Sequence, residues 1–491
     1  MDPRLPVIIG TGQVTNRPKS ETRLRAPVTL MAEATELALS DAGVVAASID
    51  SVQVVNTISW TYADPAGELA EAIGASPAES IYTTVGGNTP QWLVNRACEM
   101  ISKGERELVL ISGAESFASA TAARSMGRKL DRGNRGEQPQ AIGDDRPGAG
   151  PAEMQSGLIA PAQIYPLIEN AYRASKGRSV AEHQAVLGSL CESFNRVAAE
   201  NPLSWLPERH TAEEIVTPTP LNRMIGFPYT KWMNSIMKVD QGASLLIASA
   251  EKAEELGVER DKWVFPQAGT ECNDPWFVSQ RPDLAESPAI RAAGTASLEA
   301  AGVGIDDIEF IDLYSCFPCA VELGADALGL PADGSRQLTV TGGLMYFGGP
   351  GNNYATHSIA TMVGLLRESP ESYGLCTALG WYVTKHAVGV YSGTPPAEGF
   401  KRPDISARQA EIDSSELSLG QPESGETVEI VAYTVLYDRE GKPMSAPAVV
   451  ECKTGRAIVH LPDDSPTDEE LVGRNARIHD VDGQVPKAEL V

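Results

Sequence analysis

The chain repeats itself, and the repeat constrains its fold more than any other feature. Residues 35–56 read TELALSDAGVVAASIDSVQVVN and residues 294–315 read GTASLEAAGVGIDDIEFIDLYS. Each is an amphipathic helix ending in Ala-Gly, an acid-bearing linker and an alternating apolar strand. Gly43 and Gly302 stand where a left-handed residue turns a helix end toward a strand. A second pair recurs at nearly the same offset. IYTTVGGN (81–88) and LMYFGGPGN (344–352) read as strand-like runs breaking into Gly-Gly and Asn. Each precedes a helical pattern, WLVNRACEMIS or ATHSIATMVGLLR, and then a buried-type strand, ELVLIS (107–112) or YGLCTALG (373–380). Two matches at nearly one spacing predict two similar βα halves, over 1–253 and 254–395.

Residues 117–237 interrupt the first half. They hold a charged, glycine-rich stretch (127–150), helical segments around 164–200 and the turn-rich PERHTAEEIVTPTPLNRMIGFPYT. An excursion this long predicts a loop domain that carries binding elements. ASLLIASAEKAEEL (243–256) has a helix-like pattern that closes the first half, and KWVFPQAGT opens the second as a strand. After residue 396 the chain turns to strands, ETVEIVAYTVLYD, APAVVECKTG and RAIVHLP. This predicts a separate small β domain over 396–491.

Composition limits the partners. At ~100–200 residues per domain, 491 residues make about two to four domains. The net charge of −25 argues against nucleic acid or an anionic membrane as the main partner. The cysteines (98, 191, 272, 316, 319, 376 and 452) are scattered and odd in number. That suits a reducing, cytoplasmic setting better than a disulfide framework. The opening MDPRLPVIIGTG lacks a signal peptide's basic flank and apolar stretch, and no apolar run reaches the ~18–20 residues of a membrane span.

The two strand–Gly-Gly–helix junctions are where chemistry is expected. Each would present backbone N–H groups at a helix N-terminus, a setting that favours developing negative charge on oxygen. Glycine also lets a ligand approach the main chain, although it serves plain tight turns equally well. Gly86, Gly87, Asn88, Gly348 and Gly349 are therefore candidate substrate-binding residues. Cys316-Phe317-Pro318-Cys319 lacks the second Cys or His pair of a zinc site, so no metal is expected.

With these residues in view, the chain resembles the thiolase superfamily across residues 1–395. ELVLISGAESF resembles the family's strand before its loop domain, and MKVDQGASLLIASAEKAEELG its Asp-Gly-Ala-Ala segment. DLYSCF (312–317) stands where thiolases carry Asn-Glu-Ala-Phe or, in the sterol-carrier type, His-Asp-Cys-Phe. GGLMYFGGPGNNYATH falls on the Gly-His-Pro block and GLCTALG on the Cys-x-Gly block. The resemblance implies an α/β, duplicated thiolase fold, with two βαβαβαββ halves in five layers, αβαβα, and a small all-β C-terminal domain. The tail resembles the OB-like modules that accompany some thiolase-like proteins, including the partner subunits of steroid side-chain aldolases.

The motifs match in position and depart in chemistry. By the resemblance, the acyl-accepting cysteine falls at about Gly87 and the histidine of Gly-His-Pro at Gly349. The Asn or His of the third block becomes Tyr314, and the second cysteine position keeps its type as Cys376. Thiolysis needs a cysteine to carry the acyl group and a histidine to activate it. The resemblance thus implies a thiolase-like protein of the acetyl-CoA acetyltransferase type that binds acyl-CoA thioesters without ordinary acetyl transfer. Cys376, Tyr346, Tyr314 and His357 are the candidate catalytic residues, with His386 as a further histidine. Each also has an ordinary place as a core side chain. Retro-aldol C–C cleavage of a steroid or fatty acyl-CoA by Tyr346 or Tyr314 is one alternative. A non-catalytic CoA-thioester scaffold is the other. No cofactor is expected beyond the CoA thioester, in lipid metabolism by family. The family's dimers or tetramers are the expected assembly, with a monomer left open by the appended domain.

Overall fold

The structure, a computed structural model, describes residues 1–20, 23–133, 136, 140–483 and 485–491. Part of the predicted glycine-rich stretch, residues 134, 135 and 137–139, lies outside the described residues. The first half runs β1 (Pro6–Thr15), α1 (Pro27–Ala42), β2 (Ser51–Val54), α2 (Pro65–Ile73), β3 (Glu79–Tyr82), α3 (Thr89–Ser102) and β4 (Leu108–Ser116). The excursion follows with helices α4 (Phe117–Ser125), α5 (Pro151–Gln155), α6 (Pro161–Ser175), α7 (Val180–Glu200) and α8 (Ala212–Val216). It ends in a hairpin of β5 (Met224–Gly226) and β6 (Tyr229–Thr230), and β7 (Asp240–Ser249) and α9 (Ala250–Glu255) return the chain to the first half. The second half runs β8 (Phe265–Asn273), α10 (Pro288–Ala301), β9 (Ile308–Asp312), α11 (Pro318–Leu328), α12 (Gly343–Tyr346), α13 (Tyr354–Glu368), β10 (Tyr373–Gly380) and β11 (Lys385–Ser392). The tail holds α14 (Ser406–Asp413) and strands β12 (Thr427–Tyr433), β13 (Leu436–Tyr437), β14 (Pro443–Cys452), β15 (Gly455–Leu461), β16 (Asn475–Asp480) and β17 (Lys487–Leu490).

The duplication is real in three dimensions. α1 and α10 both end on a left-handed glycine, Gly43 at φ 71° and Gly302 at φ 74°. Each then passes through a 3₁₀ turn into a parallel strand, β2 or β9. The first sheet has the order β1-β7-β4-β2-β3 and the second β8-β11-β10-β9, the same succession less its last strand. α3 and α13 pack between the sheets and touch both, while α1 lies outside the first and α10 outside the second. The result is the five-layer α/β arrangement. Its middle is an apolar core in which Leu93, Val94 and Ala97 of α3 meet Ile359, Met362 and Val363 of α13.

Two local expectations are corrected. Residues 243–249, expected as helix, belong to the interior strand β7, and only Ala250–Glu255 is helical. β7 lies between β1 and β4 with every residue buried, so its apolar run carries no alternation that would reveal a strand. Residues 344–348, expected as strand, begin in the short helix α12. Gly342 and Gly343, at φ 107° and 75°, turn the chain there, and the Leu344 N–H donates to Ser315 Oγ at 3.2 Å. A Cβ on Gly343 would press on Phe194 of α7, so this turn is set by a distant helix.

In the tail, β12, β14, β15, β17 and β16 close into a ring, with β15–β17 its parallel pair. β13 pairs with both β14 and β5, so the tail and the excursion share one sheet. Asn170 Nδ2 of α6 stitches this seam by donating to the carbonyls of Phe227 and Tyr433, both at 3.0 Å. Among the described residues, no helix is long and apolar enough to cross a membrane.

Candidate functional site

α3 and α13 both begin at one cavity of about 960 Å³. Gly86 and Gly87 line it ahead of α3, and Gly349, Gly351 and Asn352 line it ahead of α13. Asn352 holds the two junctions together. Its Oδ1 accepts the Gly86 N–H at 3.0 Å, and its Nδ2 donates to the Asn56 carbonyl at 2.9 Å. Two helix N-termini therefore face a shared space, which favours partial negative charge there. The Gly86 N–H is already taken. The Gly87 N–H makes no backbone hydrogen bond among the described residues and remains a donor for a ligand oxygen.

The rest of the wall comes from three places. Tyr314, Cys316 and Phe317 follow β9, Leu379 stands near the end of β10, and Trp381 and Tyr382 lie in the β10–β11 turn. The excursion adds Tyr165, Trp205, Lys231, Trp232 and Met237, and Lys238 follows it. Among the described residues, no Asp, Glu or His belongs to the lining. The β10–β11 turn is strained, because Trp381 and Val383 sit at φ 57° and 56° without being glycine. Such a conformation costs about 1–3 kcal/mol per residue and persists only where the surroundings enforce it.

At both junctions the space beside glycine is already filled. A Cβ on Gly87 would run into Tyr314 Oη and lie 2.5 Å from the Leu379 carbonyl oxygen. A Cβ on Gly349 would meet Ser235 Oγ, while the Gly349 N–H is held by the Ile236 carbonyl at 2.9 Å. The Tyr314 hydroxyl has no hydrogen-bond partner among the described residues, and burial pushes its pKa far up. Burial also pushes the Cys316 thiol up, to about 12, against the pull of the neighbouring Tyr165 hydroxyl. At neutral pH both groups are protonated donors.

The expected site residues divide. Tyr314, Gly86, Gly87 and Gly349 line the cavity; Asn88, Gly348, Tyr346, Cys376 and His357 do not. Asn88 precedes α3 at its N-cap position, and Gly348 lies against Gln241. The Tyr346 hydroxyl is buried beside the Cys191 thiol. Cys376 is fully buried in the core between the sheets, and burial raises its thiol well above the ordinary range. Three residues along the same strand, Leu379 is the β10 side chain that reaches the cavity. His386 bonds Asp274 Oδ2 at 3.0 Å, outside the cavity lining.

Residues not singled out in the sequence brace the junctions from behind the lining. Lys385, buried behind the first junction, donates to the Val85 carbonyl at 2.5 Å and the Asp144 carbonyl at 3.2 Å. Burial lowers its pKa to about 8. Glu115 accepts the N–H groups of Ile58 and Ser59 at 2.6 and 2.8 Å, and burial raises its pKa to about 7. It supports the loop opposite Gly351. Neither residue has a local motif; both are placed by contacts across the two halves.

His357 gives a test by pH. Its Nδ1 bonds Gln13 Oε1 at 2.9 Å, its Nε2 is buried without a partner, and burial lowers its pKa to about 3. An unfolded chain takes up this proton below ~6.5, whereas the folded chain does so only near 3. Stability from His357 is thus fully present above the unfolded value and is lost as pH falls. His357→Gln keeps a partner for Gln13 and removes the titration. Denaturant unfolding should show the variant gaining about 3 kcal/mol relative to wild type between pH 7 and pH 4. Parallel pH profiles for the two proteins would contradict this.

Comparison with known proteins bears on the same residues. The family described as Thiolase C-terminal domain-like matches residues 270–352, which include Tyr314, Cys316 and Gly349. The 3-ketoacyl-CoA thiolase of Vibrio vulnificus strain YJ016 is 30% identical over 144 residues, 28% of this chain and 33% of that protein. The 3-ketoacyl-CoA thiolase of Idiomarina loihiensis is 29% identical over 138 residues, with the same coverage. The match thus spans a third of the curated relatives' length. Among solved structures, a monomeric SCP2-thiolase like protein type 1 from Mycobacterium smegmatis aligns over 100% of both chains at 33% identity and a TM-score of 0.86. The Ltp2-ChsH2(DUF35) aldolase aligns over 79% of this chain and 98% of that one, at 19% identity and a TM-score of 0.61. Acetyl-CoA acetyltransferase from Syntrophomonas wolfei aligns over 79% and 99%, at 16% identity and a TM-score of 0.57.

Proposed function

The chain belongs to the thiolase superfamily, and from that premise we propose that it binds a bulky acyl-CoA or similar thioester between its halves without running cysteine–histidine acetyl transfer. One observation carries the reading. Both glycine junctions face one cavity, and the space beside Gly87 that a nucleophilic side chain would need is occupied by Tyr314 Oη. The Gly87 N–H, Tyr314 and Cys316 then serve as donors to the thioester oxygen. Trp205, Trp232 and Trp381 give the acyl group an apolar wall, and Lys231 and Lys238 suit an anionic carrier.

Retro-aldol cleavage of a 3-hydroxyacyl thioester is the second reading, favoured by the unbonded Tyr314 hydroxyl. There a base would take the β-hydroxyl proton and the Cα–Cβ bond would break. The electron pair would pass to the thioester as an enolate, and Tyr314 or Cys316 would protonate Cα. Among the described residues the lining supplies the acid and no carboxylate or imidazole base, so binding is the better-supported function.

Calorimetric titration tests it. Affinity should rise from CoA through acetyl-CoA to ring-bearing acyl-CoAs, by up to about 0.8 kcal/mol per buried methylene. Thiol release from acetoacetyl-CoA plus CoA should stay at the blank. Absence of heat with every thioester would overturn the binding function. Thiolysis above the blank would overturn its non-thiolytic character, and a cleaved carbonyl product lost in Tyr314→Phe would establish the lyase instead.

A further inference from the structure

We infer that the junction between the excursion and the second half holds a divalent metal ion, zinc by its donor set, bound by Glu169, His183 and Glu322. The three residues come from α6, α7 and α11, and one ligand atom from each lies within 4.8 Å of the others. All three are sealed from solvent. Two carboxylates this close in a dry interior cannot both stay charged without a cation between them. Arg178 approaches Glu322 Oε1 at 3.5 Å but is part-exposed, and His183, 2.7 Å from Glu169, offsets that carboxylate only as an imidazolium.

Hydrogen bonds account for only one of the carboxylates. Glu169 is bonded by His183 Nε2 at 2.7 Å and by the Tyr229 hydroxyl. Neither oxygen of Glu322 has a hydrogen-bond partner among the described residues. A proton shared between the two carboxyls would satisfy one Glu322 oxygen and leave the second bare. A divalent ion can take both. One imidazole and two carboxylates make a three-ligand zinc set, with the Tyr229 hydroxyl or a water available for a fourth position. Binding would transfer the His183 Nε2 lone pair to the metal and place the ring proton on Nδ1. Arg178, now 3.3 Å from Nδ1, would then turn outward or onto Glu322.

The ion would act as a staple behind the cavity. Tyr229 accepts the Cys319 N–H at 3.3 Å, and its ring packs against Phe317, a lining residue, at 5.7 Å between centroids. No ligand touches the cavity, so the role is positioning. The ligands share no local spacing, being spread over three helices, and a search for paired Cys or His motifs passes over them.

The test uses the full untagged chain, incubated with zinc sulfate and desalted. Elemental analysis should find about one zinc per chain, and zinc-edge absorption should show only nitrogen and oxygen ligands. Glu322→Gln and His183→Ala should each hold about tenfold less zinc. A chelator should lower the thermal midpoint of wild type and leave that of Glu322→Gln unchanged. Three outcomes would overturn the site: a folded wild type without zinc, undiminished zinc in both variants, or sulfur among the ligands. The first, with Glu322→Gln as stable as wild type, would establish a shared proton instead. The absorption measurement on wild type holds even if a variant fails to fold.

Discussion

Gly87→Cys should leave acetoacetyl-CoA thiolysis at the blank and should destabilise the protein rather than revive a thiolase. The added Cβ meets Tyr314 Oη and the Leu379 carbonyl oxygen. The tyrosine ring can shift, but the carbonyl belongs to β10, which is paired on both sides with β9 and β11. Overpacking of this kind costs roughly 1–3 kcal/mol, and a rigid backbone partner puts the cost at the upper end. No base would be restored either, because Ser235 Oγ fills the space beside Gly349. Combining Gly87→Cys with Tyr314→Ala removes one of the two obstacles. The double variant should therefore be more stable than the sum of the single changes by at least about 1 kcal/mol. Denaturant unfolding of the four proteins measures this coupling. Additive costs, or turnover by Gly87→Cys, would refute the packing argument.

What could be read from the sequence followed the reach of each signal. Helix, left-handed glycine and strand are encoded within a few residues, so the units at Gly43 and Gly302 were visible, and with them the duplication. β7 was not, because burial on both faces erases its alternation. α12 was not, because its glycine turn answers to Phe194 and Ala198, far away in the chain. The site shows the same limit. The Gly-Gly junctions announced themselves, and Gly86, Gly87 and Gly349 line the cavity. Which face of β10 meets that cavity depends on how two sheets pack, so Leu379 lines it while Cys376 lies in the core. Cys316 stands out in the sequence within DLYSCF and as half of a CxxC pair, but its place in the wall comes from the turn after β9. The aromatic wall from the excursion carries no periodic signature at all.

Glu470→Ala should be among the most damaging single changes, although Glu470 lies in the tail and is 40% exposed. Its partner Arg173, on α6, is 1% exposed and donates to Glu470 through Nη1 at 2.6 Å and Nη2 at 2.9 Å. Removing the acid strands a buried guanidinium, which costs about 3–5 kcal/mol in sealed pairs; the exposed side of Glu470 argues for the low end. Arg173→Met should cost less, because it removes the buried charge and keeps an apolar stem in place. The double variant should resemble Arg173→Met rather than the sum. The change also reaches function. Glu470 anchors the tail to α6, β13 of the tail pairs with β5, and Ile225 on β5 and Trp232 after β6 line the cavity. Thioester affinity should therefore fall in Glu470→Ala well below the temperature at which the protein unfolds. Unchanged affinity with lowered stability would show that the tail supports the fold without shaping the cavity.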